Sequence, residues 1–143
     1  METSETESPR DRSLRPHLQL VIPYTTPELT RAALKSAAMF THDLRATVRL
    51  IGVHVVPYPR PLDEPDVASE HLKNKLAAVA QRSALPIRAE VVYGRDRQEA
   101  LRQVLKPGSL VLLATNKHWW RTAQERLARS LSRAGHSVAL LAV

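Results

Sequence analysis

The stretch LLATNKHWWRTAQERLARSLSRAGHS, residues 112–137, holds the densest set of side chains suited to binding chemistry. Thr115, Asn116, Lys117, His118 and Arg121 bring hydrogen-bonding groups and cations within seven positions, directly after an apolar run. Lysine and arginine are effective phosphate donors, so Lys117 and Arg121 are the side chains best placed to meet an anion there. The plain alternative is a solvated loop with ordinary surface charge. Trp119 and Trp120 are the two tryptophans of the chain, and adjacent positions cannot both face one core. One would pack under the loop as a plug while the other covers nearby apolar surface. A tryptophan beside an arginine is also a favoured composition for a protein-contact hot spot.

A backbone phosphate cradle needs glycines, because successive N–H groups must converge on the anion in conformations or at approaches that a Cβ obstructs. Between Thr115 and Ala134 there is none. Any anion site would therefore be made of side chains, with Tyr24, Thr25 and Thr26 as the candidates facing this loop from the first strand. Other chemistries find little support. The six histidines include no His-Glu-x-x-His pair and no metal-ligand spacing, there is no Gly-x-Ser-x-Gly elbow, and cysteine is absent. Asp96, in Gly94-Arg95-Asp96-Arg97, reads as a helix cap rather than a catalytic acid. His54, inside an apolar strand, reads as a hydrogen-bonded strand residue. No enzymatic activity, metal or resident cofactor is expected.

These residues are positioned by a chain whose apolar period changes repeatedly. HLQLVIPY (17–24), ATVRLIGVHVV (46–56), IRAEVVYG (87–94), SLVLLAT (109–115) and HSVALLAV (136–143) read as strands, short and rich in branched residues. Between the first two lies a predicted helix over 25–44, with Leu29, Ala32, Ala33, Ala37, Phe40 and Leu44 on one face. Thr25 and Glu28 have capping-box spacing there, and Pro27 suits an early helical position. PYPRPLDEP must be irregular. It leads to a helix over 66–84 striped by Leu72, Leu76, Val79 and Ala80. A short helix follows with Ala100, Leu101, Val104 and Leu105 inward, ended by Pro107 and Gly108. The last helix, over 121–134, carries Ala123, Leu127, Leu131 and Ala134 on one side. Strands alternating with helices predict an α/β fold: a three-layer, doubly wound five-stranded parallel sheet. Its ligand crevice would lie outside the carboxyl ends of strands one and four, where the winding reverses.

With 143 residues and 43% hydrophobic content, the chain suits one domain over 17–143, preceded by a polar, mobile tail over 1–16. The formal charge is +7, and residues 17–143 hold 18 basic and 10 acidic side chains, a balance of +8. Arg126, Arg129 and Arg133 make one face of the last helix basic, which is more often solvated than functional. No apolar run approaches the roughly 18 to 20 residues of a membrane span, and no signal peptide is read at the start. A cysteine-free, basic chain of this kind is expected in the cytoplasm.

In order, spacing and length, VIPYTTPE (21–28), GVHVV (52–56), VVYGRDRQEAL (91–101), SLVLLAT (109–115) and SVALLAV (137–143) resemble the universal stress protein family. The resemblance implies a nucleotide-binding α/β fold, consistent with the doubly wound parallel sheet read from the periodicity. ATP-binding members place an aspartate at the end of strand one and a Gly-x2-Gly-x9-Gly-Ser/Thr pattern after strand four. Here Tyr24 stands at the aspartate position and the glycine pattern is missing. The resemblance also implies a homodimer through strand 136–143, with Val138 and Leu140 in the contact, and an apolar edge strand is a liability unless covered.

Three functions follow. The first expectation is a non-enzymatic, dimeric regulatory or interaction module that does not bind ATP in the family's usual mode and meets a protein partner the sequence does not name. The second is a protein binding ATP or another adenine nucleotide through an altered site of Tyr24, Thr25, Thr26, Thr115, Asn116, Lys117 and Arg121. The third is a basic nucleic-acid-associated protein, for which no helix-turn-helix, zinc-finger or RNP pattern speaks.

Overall fold

A computed structural model describes residues 17–41, 45–58, 67–83, 85–107, 109–116 and 123–143. The tail 1–16, the proline-rich segment 59–66 and the loop 117–122 lie outside the described residues. The elements run β1 (His17–Pro23), α1 (Pro27–Phe40), β2 (Arg45–Val55), α2 (Val67–Gln81), β3 (Ile87–Gly94), α3 (Arg97–Val104), β4 (Leu110–Thr115), α4 (Ala123–Arg133) and β5 (Ser137–Ala142). All five strands are parallel, in the order β3-β2-β1-β4-β5. The doubly wound sheet expected from the alternating periods is therefore present, with its reversal between β1 and β4.

Side chains alternate across the sheet and feed two cores. Leu20, Ile22, Val48, Leu50, Leu112 and Ala114 face one way, against Ala33, Leu34 and Ala37 of α1 and Leu76 and Val79 of α2. Val21, Ile51, Val111 and Leu113 face the other way, against Leu101 of α3, Leu105 beyond its end, and Leu127, Ala128 and Leu131 of α4. Burial on both faces is why the strands are apolar at nearly every position. Gly52 lets α2 approach β2, since a Cβ there would lie 2.9 Å from Leu76 Cδ1.

Several local expectations need correction. The cap of α1 is Thr26, not Thr25: its hydroxyl accepts from the Leu29 N–H, and Pro27 occupies the first helical position. The residue before a proline is driven to extended backbone, and Thr26 adopts φ −120°, ψ 160°, the geometry of an N-cap. Glu28 then falls one position short of a capping box. In α4 the buried stripe is Leu127, Ala128 and Leu131, while Ala123 and Ala134 are exposed at the two ends. Helix α3 ends at Val104, ahead of the expected Pro107–Gly108 stop, because Leu105 turns to extended backbone and drops into the core. Asp96 caps α3 as expected, its carboxylate accepting from the Glu99 N–H at 2.9 Å.

Candidate functional site

Strand β1 pairs with β2 over seven positions but with β4 only at Leu20↔Leu110 and Val21↔Val111. Past those pairs the carboxyl halves of β1 and β4 leave each other's hydrogen-bonding register. The winding also reverses there, with α1 leaving β1 toward one face and α4 following β4 toward the other. This is where an open α/β sheet forms a crevice. Tyr24, Thr25 and Thr26 stand at its β1 lip, and Thr115 and Asn116 at the end of β4, so the sequence-predicted residues that are described do gather at one edge of the sheet. Lys117, His118, Trp119, Trp120 and Arg121 lie outside the described residues.

The β1 lip is committed to internal bonds. The Tyr24 N–H donates to the Ile51 carbonyl at 2.8 Å, which extends the β1–β2 ladder by one residue. The Thr25 N–H donates to the Thr30 hydroxyl at 3.1 Å, and Thr30 is itself buried in α1. Thr26 spends its hydroxyl on the helix cap. The Tyr24 ring packs on the core shared with α1 and α2, where its hydroxyl is buried and meets no hydrogen-bond partner among the described residues. Burial, with Glu28 adding to it and Arg31 opposing, holds that hydroxyl above the ordinary phenol value. On the opposite side Thr115 is buried and engaged, and its carbonyl accepts from the Val143 N–H at 2.9 Å.

A cation outside the sequence-predicted set reaches this lip. Arg97, in the first turn of α3, donates from a guanidinium nitrogen to the Tyr24 carbonyl at 3.2 Å. Burial lowers its proton affinity below the usual arginine value. No carboxylate among the described residues pairs with it. Its neighbour Arg95 turns away, donating to the Val56 and Pro57 carbonyls at 3.0 Å each and lying 4.0 Å over the Tyr58 ring. The two arginines thus tie the β3–α3 turn to the ends of β1 and β2. The signal in the sequence is the Gly94-Arg95-Asp96-Arg97 turn, in which two arginines flank the capping aspartate. His54, read as a hydrogen-bonded strand residue, lies edge-on to the Tyr93 ring at 5.8 Å and makes further interactions.

Among the described residues the arrangement offers hydrogen-bond acceptors, the Thr26 and Thr30 hydroxyls already in use and one desolvated cation. Among the described residues no group of three or more His, Asp or Glu comes together, and no helix is long and apolar enough to cross a membrane. One outer strand of the sheet is β5, with Val138 half-buried and Leu140 41% exposed.

Against known proteins, no family model matches the chain and no curated protein matches it. Solved structures do. A universal stress protein in complex with cAMP aligns with a TM-score of 0.58 at 13% identity, covering 87% of this chain and 96% of that one. A universal stress protein family member from Burkholderia pseudomallei aligns with a TM-score of 0.61 at 15% identity, again covering 87% and 96%. The chain therefore has the fold of the universal stress proteins, as the order and spacing of its strands predict.

Proposed function

We propose that this chain is a non-enzymatic regulatory or interaction module of the universal stress protein type whose crevice does not take ATP in the usual mode. One observation carries the reading: at the end of β1, where ATP-binding members hold an aspartate, stands Tyr24, with its carbonyl taken by Arg97 and its ring packed into the core. The lack of any glycine between Thr115 and Ala134 supports it from the other side of the crevice. We further propose that the module is a cytoplasmic homodimer joined along β5, which covers an edge strand presenting Val138 and Leu140. Trp119, Trp120 and a protein partner belong to the same reading.

A second reading is a nucleotide-binding protein with an altered site. It is supported by Arg97, a cation at the crevice without a carboxylate partner among the described residues, and by the structural neighbour's complex with cAMP. Thermal unfolding with ATP, AMP, cyclic AMP and inorganic tripolyphosphate separates the two. A ligand present at about 100 times its dissociation constant adds about 2.7 kcal/mol of stability. The expected result is that no nucleotide stabilises the protein beyond tripolyphosphate, the baseline for charge alone. Base-dependent stabilisation by ATP or cyclic AMP would overturn the first reading in favour of the second.

A further inference from the structure

A groove of about 530 Å³ runs between α3 and α4, and none of its described lining residues is among Tyr24, Thr25, Thr26, Thr115 and Asn116, so it shares no residue with the crevice lip. Gln98 and Arg102 line it from α3, and Arg126, Arg129, Ser130 and Arg133 from α4. The two helices come together because Leu101 of the first and Leu127 and Leu131 of the second are buried in one core, which turns their polar flanks toward each other. On α4 the arginines recur at i, i+3 and i+7, one stripe of a helix. On α3, Gln98 and Arg102 are one turn apart. Arg102 is held across the groove by a 3.0 Å hydrogen bond from its guanidinium to the Ser130 hydroxyl.

Four guanidiniums therefore share one concavity, and among the described residues no acidic side chain lines it. Ion pairs are found elsewhere, Arg49 with Glu90 at 2.6 Å and Lys73 with Glu70 at 3.3 Å. The acids of α3 and α4 are otherwise placed: Glu99 accepts from Gln103 and Glu125 already has an interaction of its own. Like charges gathered without a counter-charge repel, and a bound anion relieves that repulsion. All four are arginines, whose planar forks fit phosphate oxygens in pairs, where lysine offers only a point charge. Among the described residues no aromatic side chain lines it, so a base would meet no aromatic platform there. The volume falls in the range of small-molecule sites, about 300–1,000 Å³.

We propose that this groove binds a compact anion carrying two or more phosphate groups, recognised by its phosphates alone. The site lies beyond the crevice and is independent of what the crevice holds. Titration calorimetry on the full chain with sodium tripolyphosphate, and with sodium sulfate at matched ionic strength, tests it. The expected result is saturable binding of tripolyphosphate that sulfate does not reproduce. Arg102→Lys combined with Arg129→Lys keeps the charge and removes the forks, and should weaken binding about tenfold or more. Lys75→Gln, on the exposed side of α2 beneath the other face of the sheet, should bind as the wild type does. Equal heats with sulfate, or undiminished affinity in the double lysine variant, would overturn the proposal. Loss of binding in Arg97→Gln with the groove arginines intact would place the anion at the crevice and overturn it too. Tighter, arginine-dependent binding of duplex DNA that displaces tripolyphosphate would make the groove a nucleic-acid surface instead.

Discussion

Gly94→Ala should destabilise the protein although its backbone is in an ordinary conformation, because the seat of α3 has no room for a methyl group. A Cβ at Gly94 would lie 2.7 Å from the Ala100 Cβ, and the next atoms are Asp96 O at 3.4 Å and Ala100 Cα at 3.7 Å. Carbon pairs settle at about 3.5–4.0 Å, so roughly 1 Å must be found by moving the strand end or the helix. Neither yields easily, since the Gly94 carbonyl accepts from the Val56 N–H and Leu101 is fully buried one residue past the clash. Overpacking of this kind costs about 1–3 kcal/mol, and the stiffer unfolded chain of alanine returns about 0.4–1 kcal/mol. A net loss of about 1–2 kcal/mol is expected in urea unfolding followed by circular dichroism. Gly52→Ala is the comparison: its nearest neighbour is the far end of Leu76, a flexible side chain, so the loss there should be smaller. Ala100→Gly should be the specific remedy. It is destabilising alone, by about 1 kcal/mol for glycine in a helix, yet in combination with Gly94→Ala it removes the clash, so the two changes should couple by about 1 kcal/mol or more. A Gly94→Ala variant within about 0.5 kcal/mol of the wild type, or strict additivity with Ala100→Gly, would refute this account of how α3 is seated.

Three further outcomes are expected. Thr26→Ala should lose about 1 kcal/mol in the same assay while Thr25→Ala stays near neutral, since Thr25 contributes a backbone N–H and Thr26 a capping hydroxyl; the reverse order would restore the capping box. Tyr24→Phe removes a buried hydroxyl with no partner among the described residues, so it should be at least as stable as the wild type near neutral pH. The folded hydroxyl holds its proton more tightly than the unfolded one, so its contribution is complete below the unfolded value of about 10 and is lost as pH rises through the folded value. Urea midpoints between roughly pH 8 and 11 should therefore fall less steeply for Tyr24→Phe, and identical slopes would contradict the burial of that hydroxyl. Leu140→Lys places a charge on the exposed face of β5 and should convert the proposed dimer to a monomer by light scattering, whereas a monomeric wild type would end the dimer proposal.

The elements were legible because their periods differ: apolar runs such as LVLLA in β4 are buried on both faces, and the amphipathic segments cover them. The place of the crevice followed from that alternation and right-handed crossovers. What stayed hidden depends on distance or on competing chemistry. Thr25 and Thr26 are equally good caps by type, and Pro27 decides between them by forcing its predecessor to extended backbone. Ala123 and Ala134 share the period of Leu127 and Leu131, but a helix overhanging the sheet exposes its ends, so Ala128 completes the buried stripe instead. Arg97 acts on a carbonyl 73 residues away, and Arg102 on a hydroxyl 28 residues away. No local pattern encodes either contact, because each arises only when α3 has been laid against its neighbours.

Helix α3 is also where the two candidate anion sites can be weighed against each other. An anion in the crevice would draw on Arg97, but that guanidinium is desolvated, its charge is disfavoured there, and its fork is spent in part on the Tyr24 carbonyl. A phosphate would have to compete for it without help from glycine-supplied backbone N–H groups, which the 115–134 segment does not contain. In the groove the balance is reversed: Arg126, Arg129 and Arg133 are exposed to water, Arg102 is already oriented, and a bound anion would relieve their mutual repulsion. The eight residues of α3 therefore turn a committed cation to one side and an uncompensated one to the other. A phosphate-bearing ligand is therefore expected to gain more on the uncompensated side, and the proposed groove site does not depend on a phosphate cradle at the crevice.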